Sequence, residues 1–249
     1  LLAGLLAGFA ASAQAIVNVD EAIIDPQQEG FQQLVHLSID GARGNTNKNN
    51  IKGDALSQWR HGHHTEFLLF QFSYGKSNGN IDTNRVYVHA RHRTQLDPRW
   101  AIEAFAQIGR DPFSRLKRRT LLGGGTRLTV LEELDVRAVY VGLGAFHERE
   151  QLNPLVGATT LHSNLWRGSS YFLLNYRINE QLRFSSITYY QPAFRDMADY
   201  RLLEQASLNI RMTEDLDLRL ALDYSFDARP PQAVKSEDVS YSTGLEYRF

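Results

Sequence analysis

The side chains best suited to chemistry in this sequence are charged and recur at every second position. Arg85, Tyr87, His89, Arg91 and Arg93 share one parity along a single stretch, and Asp217, Arg219, Asp223 and Asp227 repeat the arrangement later. With Glu103, Arg137, Glu246 and Arg248 they are the candidate lining of an enclosed polar space. Such a lining can select ions or touch a polar solute. It can equally pair off into salt bridges that fill a narrow lumen. The chain carries 27 Lys+Arg against 28 Asp+Glu, so no one sign dominates.

Catalysis finds less support. His61, His63 and His64 crowd one turn, with His89 and His92 on a nearby segment. That density can hold zinc or copper, but the spacing matches no particular site. A serine hydrolase needs a Ser activated by His and oriented by Asn or an acid. His162, Ser163 and Asn164 are consecutive, and period two sends Ser163 to the face opposite the other two. His147 beside Glu148 has no serine partner. Gly123–Gly125 lacks the following helix and Lys-Ser/Thr pair of a phosphate loop. No catalytic, metal or cofactor residue is assigned, and an enzyme is not expected. The absence of Cys excludes disulfides and thiol catalysis, and the net charge of -1 argues against nucleic-acid binding.

The elements that position these residues are strands. Leu216, Leu218, Leu220, Leu222, Tyr224 and Phe226 alternate with Asp217, Arg219, Ala221, Asp223, Ser225 and Asp227. The last segment repeats this, with Val239, Tyr241, Thr243, Leu245, Tyr247 and Phe249 on one face. A strand between an apolar and a polar medium has that pattern, and a helix does not. Turn signals place strands near 31–42, 49–61, 64–75, 83–95, 99–109, 118–130, 134–147, 158–177, 180–190, 199–212, 215–227 and 236–249. Tight turns at 61–64, 96–98, 131–133, 179–180 and 213–214 alternate with longer links at 43–48, 76–82, 110–117, 148–157, 191–198 and 228–235.

Alternating link lengths predict an all-β fold, an antiparallel transmembrane β-barrel of about 12 strands with short periplasmic turns and longer extracellular loops. Closure satisfies the backbone groups that an open edge would strand in lipid. The mean hydropathy of -0.37 excludes a helical membrane protein but not a barrel. Leu1–Ala15, apolar and ending in small residues, is the expected signal-peptide remnant, 16–30 an N-terminal periplasmic segment and 31–249 the barrel. Tyr247 and Phe249 close the chain in the form that outer-membrane assembly machinery reads. Two places are irregular. Phe67-Leu68-Leu69-Phe70 is apolar on both faces, so its lumen side must pack against something. Glu204 shares a face with Leu202, Ala206, Leu208 and Ile210, which puts it near a rim or implies a register slip.

Particular stretches carry a resemblance to a known family. Gly41-Ala42-Arg43-Gly44-Asn45-Thr46-Asn47 and Thr83-Asn84-Arg85-Val86-Tyr87 are two of them. Asp199-Tyr200-Arg201-Leu202, the Asp227-Ala228-Arg229-Pro230-Pro231 loop and the closing Gly244-Leu245-Glu246-Tyr247-Arg248-Phe249 are the others. From about Phe31 to Phe249 the chain resembles the salt-induced outer-membrane proteins, a family of unknown function. The resemblance implies a Gram-negative outer membrane, a single-domain barrel and a link to salt or envelope stress; it brings no catalytic residues. The expected partners are outer-membrane lipid, lipopolysaccharide and the barrel-assembly machinery, with no nucleic acid and a monomer slightly favoured. The first functional expectation is a narrow channel for ions or small polar solutes. The second is a closed structural or stress-response barrel, and a remote third is an outer-membrane hydrolase.

Overall fold

The computed structural model describes residues 29–43, 47–133, 136–154 and 161–248. The signal-peptide assignment, the Gly44-Asn45-Thr46 signature and Phe249 lie outside them. The strands are β1 (Gly30–Ala42), β2 (Lys48–His61), β3 (His64–Ser77), β4 (Asn80–Gln95), β5 (Trp100–Asp111), β6 (Leu116–Glu133), β7 (Arg137–Leu152), β8 (Leu161–Arg177), β9 (Leu182–Ala193), β10 (Asp196–Arg211), β11 (Leu216–Asp227) and β12 (Glu237–Arg248). Each pairs antiparallel with its chain neighbours, and β1 meets β12 to close the barrel. No described helix is long and apolar enough to cross a membrane; the crossing is made by strands.

Alternation decides what each strand shows. On β11, Asp217, Ser225 and Asp227 are buried inside while Leu220 and Leu222 are exposed outside. The outer surface is apolar and is banded by aromatic residues. Phe31, Trp59, Trp100, Tyr176 and Tyr247 stand out near the end where β1 starts and β12 stops. Tyr74, Trp166, Tyr190, Phe194 and Tyr241 stand out near the opposite end. Aromatic girdles at two heights are the mark of a barrel crossing a bilayer.

Link lengths differ from expectation in three places. The expected link at 76–82 contracts to Asn78-Gly79, with φ of 51° and 83°; two successive positive φ values make the tight turn that matches strand twist. The link at 191–198 contracts to Phe194-Arg195: β9 and β10 pair at Ala193–Asp196 and, across a bulge, again from Pro192–Tyr200. The expected turn at 131–133 is strand instead: β6 runs to Glu133, and β7 starts at Arg137. A bulge between Thr129 and Leu131 takes up one residue and lets β6 run on. The loop end is therefore longer on average but uneven.

The lumen is largely filled. Phe105, Leu121, Tyr140, Phe146, Tyr171, Leu173, Ile187, Tyr189 and Leu203 pack together inside β5–β10. Leu34, Leu56, Phe67, Leu69 and Tyr87 form a second cluster inside β1–β4. Phe67 and Leu69 thus meet the packing that their apolar inner face required, while Leu68 and Phe70 face outward. Two glycines make room: a Cβ on Gly142 would overlap the Tyr171 ring, and one on Gly123 would lie 2.5 Å from Phe146 and 2.7 Å from Phe105.

Candidate functional site

The polar half of the lumen is organised around three groups of ion pairs. Toward the loop end, Arg201 of β10 reaches Glu148 at 2.5 Å and Glu150 at 3.0 Å, both on β7, and Asp227 of β11 at 2.8 Å. Arg167 joins Glu148 at 3.1 Å and Asp199 at 2.9 Å, and Arg119 pairs with Glu150. Strands β8 and β9 separate β7 from β10 in the wall, so the Arg201 contacts with Glu148 and Glu150 cross the interior, while Asp227 is its neighbour on the adjacent strand. All seven side chains are buried. Closely paired charges with their remaining donors satisfied offset the cost of leaving water.

A second group lies lower on β4 and β5. Arg93 donates to Glu103 at 2.7 Å, Arg91 lies 3.6 Å from the same carboxylate, and the Tyr171 hydroxyl donates to it at 3.1 Å. The third is near the turn end. Asp217 accepts from Arg183 at 2.8 Å and Arg248 at 2.6 Å. Glu246 accepts from Asn209 at 2.6 Å with Arg219 3.6 Å away.

Between the second apolar cluster and β10–β12 the lumen stays open as a vestibule with a cavity volume of about 130 Å³. Its wall includes His36, Asp54, Lys52, Arg219, Asp223 and Glu246. His36 Nδ1 lies 3.0 Å from Asp54, and Gln205 donates to Asp223 at 2.9 Å. A constriction beside Gly124, Gly144, Phe105 and Tyr189 holds a further space of only about 20 Å³.

The residues singled out from the sequence fall as follows. Arg85 pairs with Asp111 at 3.0 Å; Tyr87 and the fully buried His89 stack in the interior beside Phe105. Arg91, Glu103, Asp217, Arg219, Asp223, Glu246 and Arg248 point inward in the groups just described. Arg137 does not. It lies at the turn-end rim, half exposed and paired with Glu133 at 2.7 Å. Tyr140, Phe146, Glu148 and Glu150 set the inward parity of β7, and Arg137 has the opposite one. Tyr247 faces outward in the lower girdle. Glu204 is no rim residue and its register does not slip. It faces outward at the middle of β10 and accepts from Ser186 at 2.6 Å and from Thr188.

Sequence reasoning missed Arg119, Glu148, Glu150, Arg167 and Arg201. Ending the seventh strand at 147 left both acids in a loop. The available signal was the continued alternation Phe146-Glu148-Glu150. The other chemical candidates stay apart. Ser163 turns inward while His162 and Asn164 are exposed, and His147 stacks against Trp166 on the outer face. His61, His64 and His92 stack at the turn end around Glu66, and no group fit to hold a metal ion is found among the described residues.

A closed 12-stranded barrel, apolar and girdled outside and ion-paired within, belongs to the Gram-negative outer membrane. The chain is a member of the family described as "Protein of unknown function, DUF481", which matches residues 35–249. No curated protein matches it in sequence. Among solved structures it resembles the NanC porin at 15% identity and a TM-score of 0.53, covering 87% of this chain and 98% of that one. It also resembles the translocator domain of the autotransporter NalP from Neisseria meningitidis at 11% identity and a TM-score of 0.55, covering 90% of each. At such identities the likeness is one of fold.

Proposed function

We propose that the protein is a narrow outer-membrane channel for ions or small polar solutes that rests closed. One observation carries this reading: the open polar vestibule stands above two acids, Glu246 and Asp217, held by side chains able to swing. Arg183 and Arg248 on Asp217 are 32% and 18% exposed, unlike the enclosed Arg119, Arg167 and Arg201 at the loop end. Loosening those two acids opens a path along β10–β12 without unpacking the aromatic cluster. The proposal extends to a monomer whose barrel is residues 31–249 behind an N-terminal periplasmic segment at 16–30, to Tyr247 and Phe249 as its assembly signal, and to a role in salt or envelope stress.

The test is single-channel recording of residues 16–249 refolded into a planar bilayer, with folding checked by heat-modifiable gel mobility. Brief, small steps are expected, and longer openings when Asp217→Asn and Glu246→Gln are combined. Silence of both proteins across many confirmed insertions sinks the channel. The second reading, a closed structural barrel, draws on the cross-lumen Arg201 network and the apolar filling, and such silence would favour it.

A further inference from the structure

The seam that closes the barrel is incomplete. Among the described residues β1 and β12 pair over four positions, Leu34–Leu37 opposite Arg248–Leu245. The shortest of the other ladders, β8 with β9, has nine. Beyond Leu37, β1 keeps its pairing with β2 up to Ala42, and β12 keeps its pairing with β11 back to Glu237. Toward each other, Ser38–Ala42 and Glu237–Gly244 are unpaired. Unpaired strand edges facing hydrocarbon are strongly unfavourable, so this stretch must meet something polar.

The two sides of the gap differ in chemistry. Outside, Ile39 and Tyr241 are 72% and 76% exposed, and Leu37, Val239 and Leu245 are exposed beside them. Tyr241 belongs to the upper girdle, so the gap opens at the depth of the outer leaflet. Inside, the gap gives onto the vestibule through Ser240 and Ser242. His36 stands at its closed end. The imidazole fills the space that a Cβ on Gly244 would need, and its buried Nε2 has no protein partner among the described residues. Lys52, opposite Ser38 in the β1–β2 ladder, lines the same vestibule and has no ion-pair partner among the described residues. The Lys52 ammonium and a ring nitrogen of His36 without a protein partner are therefore turned toward the space behind apolar lips.

We infer that the outer half of the β1–β12 seam is a lateral portal for a phosphate-bearing membrane amphiphile. The head enters the vestibule and accepts from the Lys52 ammonium, with its polar remainder beside His36, while the acyl chains stay between Ile39 and Tyr241 in the bilayer. The polar head supplies the partners that the strand edges lack. The site is reached from the membrane, and it exists whether or not the lumen conducts.

The chain has no Cys, so single cysteines report one place each. A fluorophore is attached to Ser242→Cys beside the gap, to Tyr241→Cys outside, and to Ser225→Cys on the closed inner wall. Each protein is folded into vesicles of phosphatidylglycerol with brominated acyl chains, which quench only on close approach. Quenching at 242 of at least half that at 241 is expected, with none at 225. Lys52→Gln reduces quenching at 242 at least twofold, and millimolar inorganic phosphate leaves it unchanged. Quenching at 242 equal to that at 225 overturns the portal, and loss of the signal to inorganic phosphate overturns the membrane source. A second measurement addresses the seam itself. Ile39→Cys with Thr243→Cys, the partners an unbroken ladder would make, should oxidise at least tenfold more slowly than Val35→Cys with Tyr247→Cys, which are partners. Equal rates mean a zipped seam, and efficient crosslinking of Tyr241→Cys between two molecules means strand pairing between copies; either result overturns the portal.

Discussion

Removing Arg201 is the sharpest test of the cross-lumen network. Its guanidinium contacts three carboxylates within 3.0 Å, on Glu148, Glu150 and Asp227, and only Arg119 and Arg167 remain to balance them and Asp199. One pair of unit charges about 4 Å apart interacts by about 4 kcal/mol at an effective dielectric of 20. Breaking a buried pair from one side typically costs about 3–5 kcal/mol, because the partner charge stays buried and uncompensated. Arg201→Met keeps most of the volume and removes the charge, so a loss of about 4 kcal/mol is expected. Glu148→Gln should then cost about 2 kcal/mol less in the Arg201→Met background than in the wild-type chain, since the charge it removes has already lost its main partner. Equilibrium urea unfolding in phospholipid vesicles, followed by the fluorescence of Trp59, Trp100 and Trp166, measures both quantities. A loss below about 1 kcal/mol, or strictly additive variants, would refute the claim that Arg201 joins β7 to β10 and β11. Arg137→Ala is the contrast: its partner Glu133 is equally exposed at the rim, and no measurable change is expected.

Three further outcomes follow from local geometry. Gly142→Ala should destabilise the barrel by about 1–3 kcal/mol, because Tyr171 is held in place by its bond to Glu103 and cannot step aside; the same unfolding assay reads it. Gly79→Ala should cost about 1 kcal/mol and slow refolding from urea, since its φ of 83° suits glycine in the two-residue turn. Glu204→Gln keeps an acceptor for Ser186 and Thr188 while removing a charge from the lipid face, so a gain of about 1 kcal/mol is expected, and an unchanged or lower unfolding midpoint would contradict its placement at mid-wall.

Strand number, antiparallel order and the face of most strands were legible in the sequence. The reason is physical: a wall between lipid and a polar interior enforces period two, and β4, β11 and β12 keep it without interruption. Arg85, His89, Arg91, Asp217, Arg219 and Glu246 could therefore be assigned inward from parity alone. Where glycine and apolar residues occupy both faces, as at Leu121–Gly125 and Val139–Ala145, parity carries no signal, and Arg137 beside the second stretch was placed on the wrong side; Glu148 and Glu150 beyond it were left in a loop. Tertiary structure alone decided how the inward charges combine. Arg201 and Glu148 stand 53 residues apart on strands that are not neighbours, so no local spacing announces the pair. The same holds for the filled half-lumen, the vestibule and the short β1–β12 ladder. Each depends on how twelve strands stagger when the sheet closes, and a chain read one segment at a time does not contain that stagger.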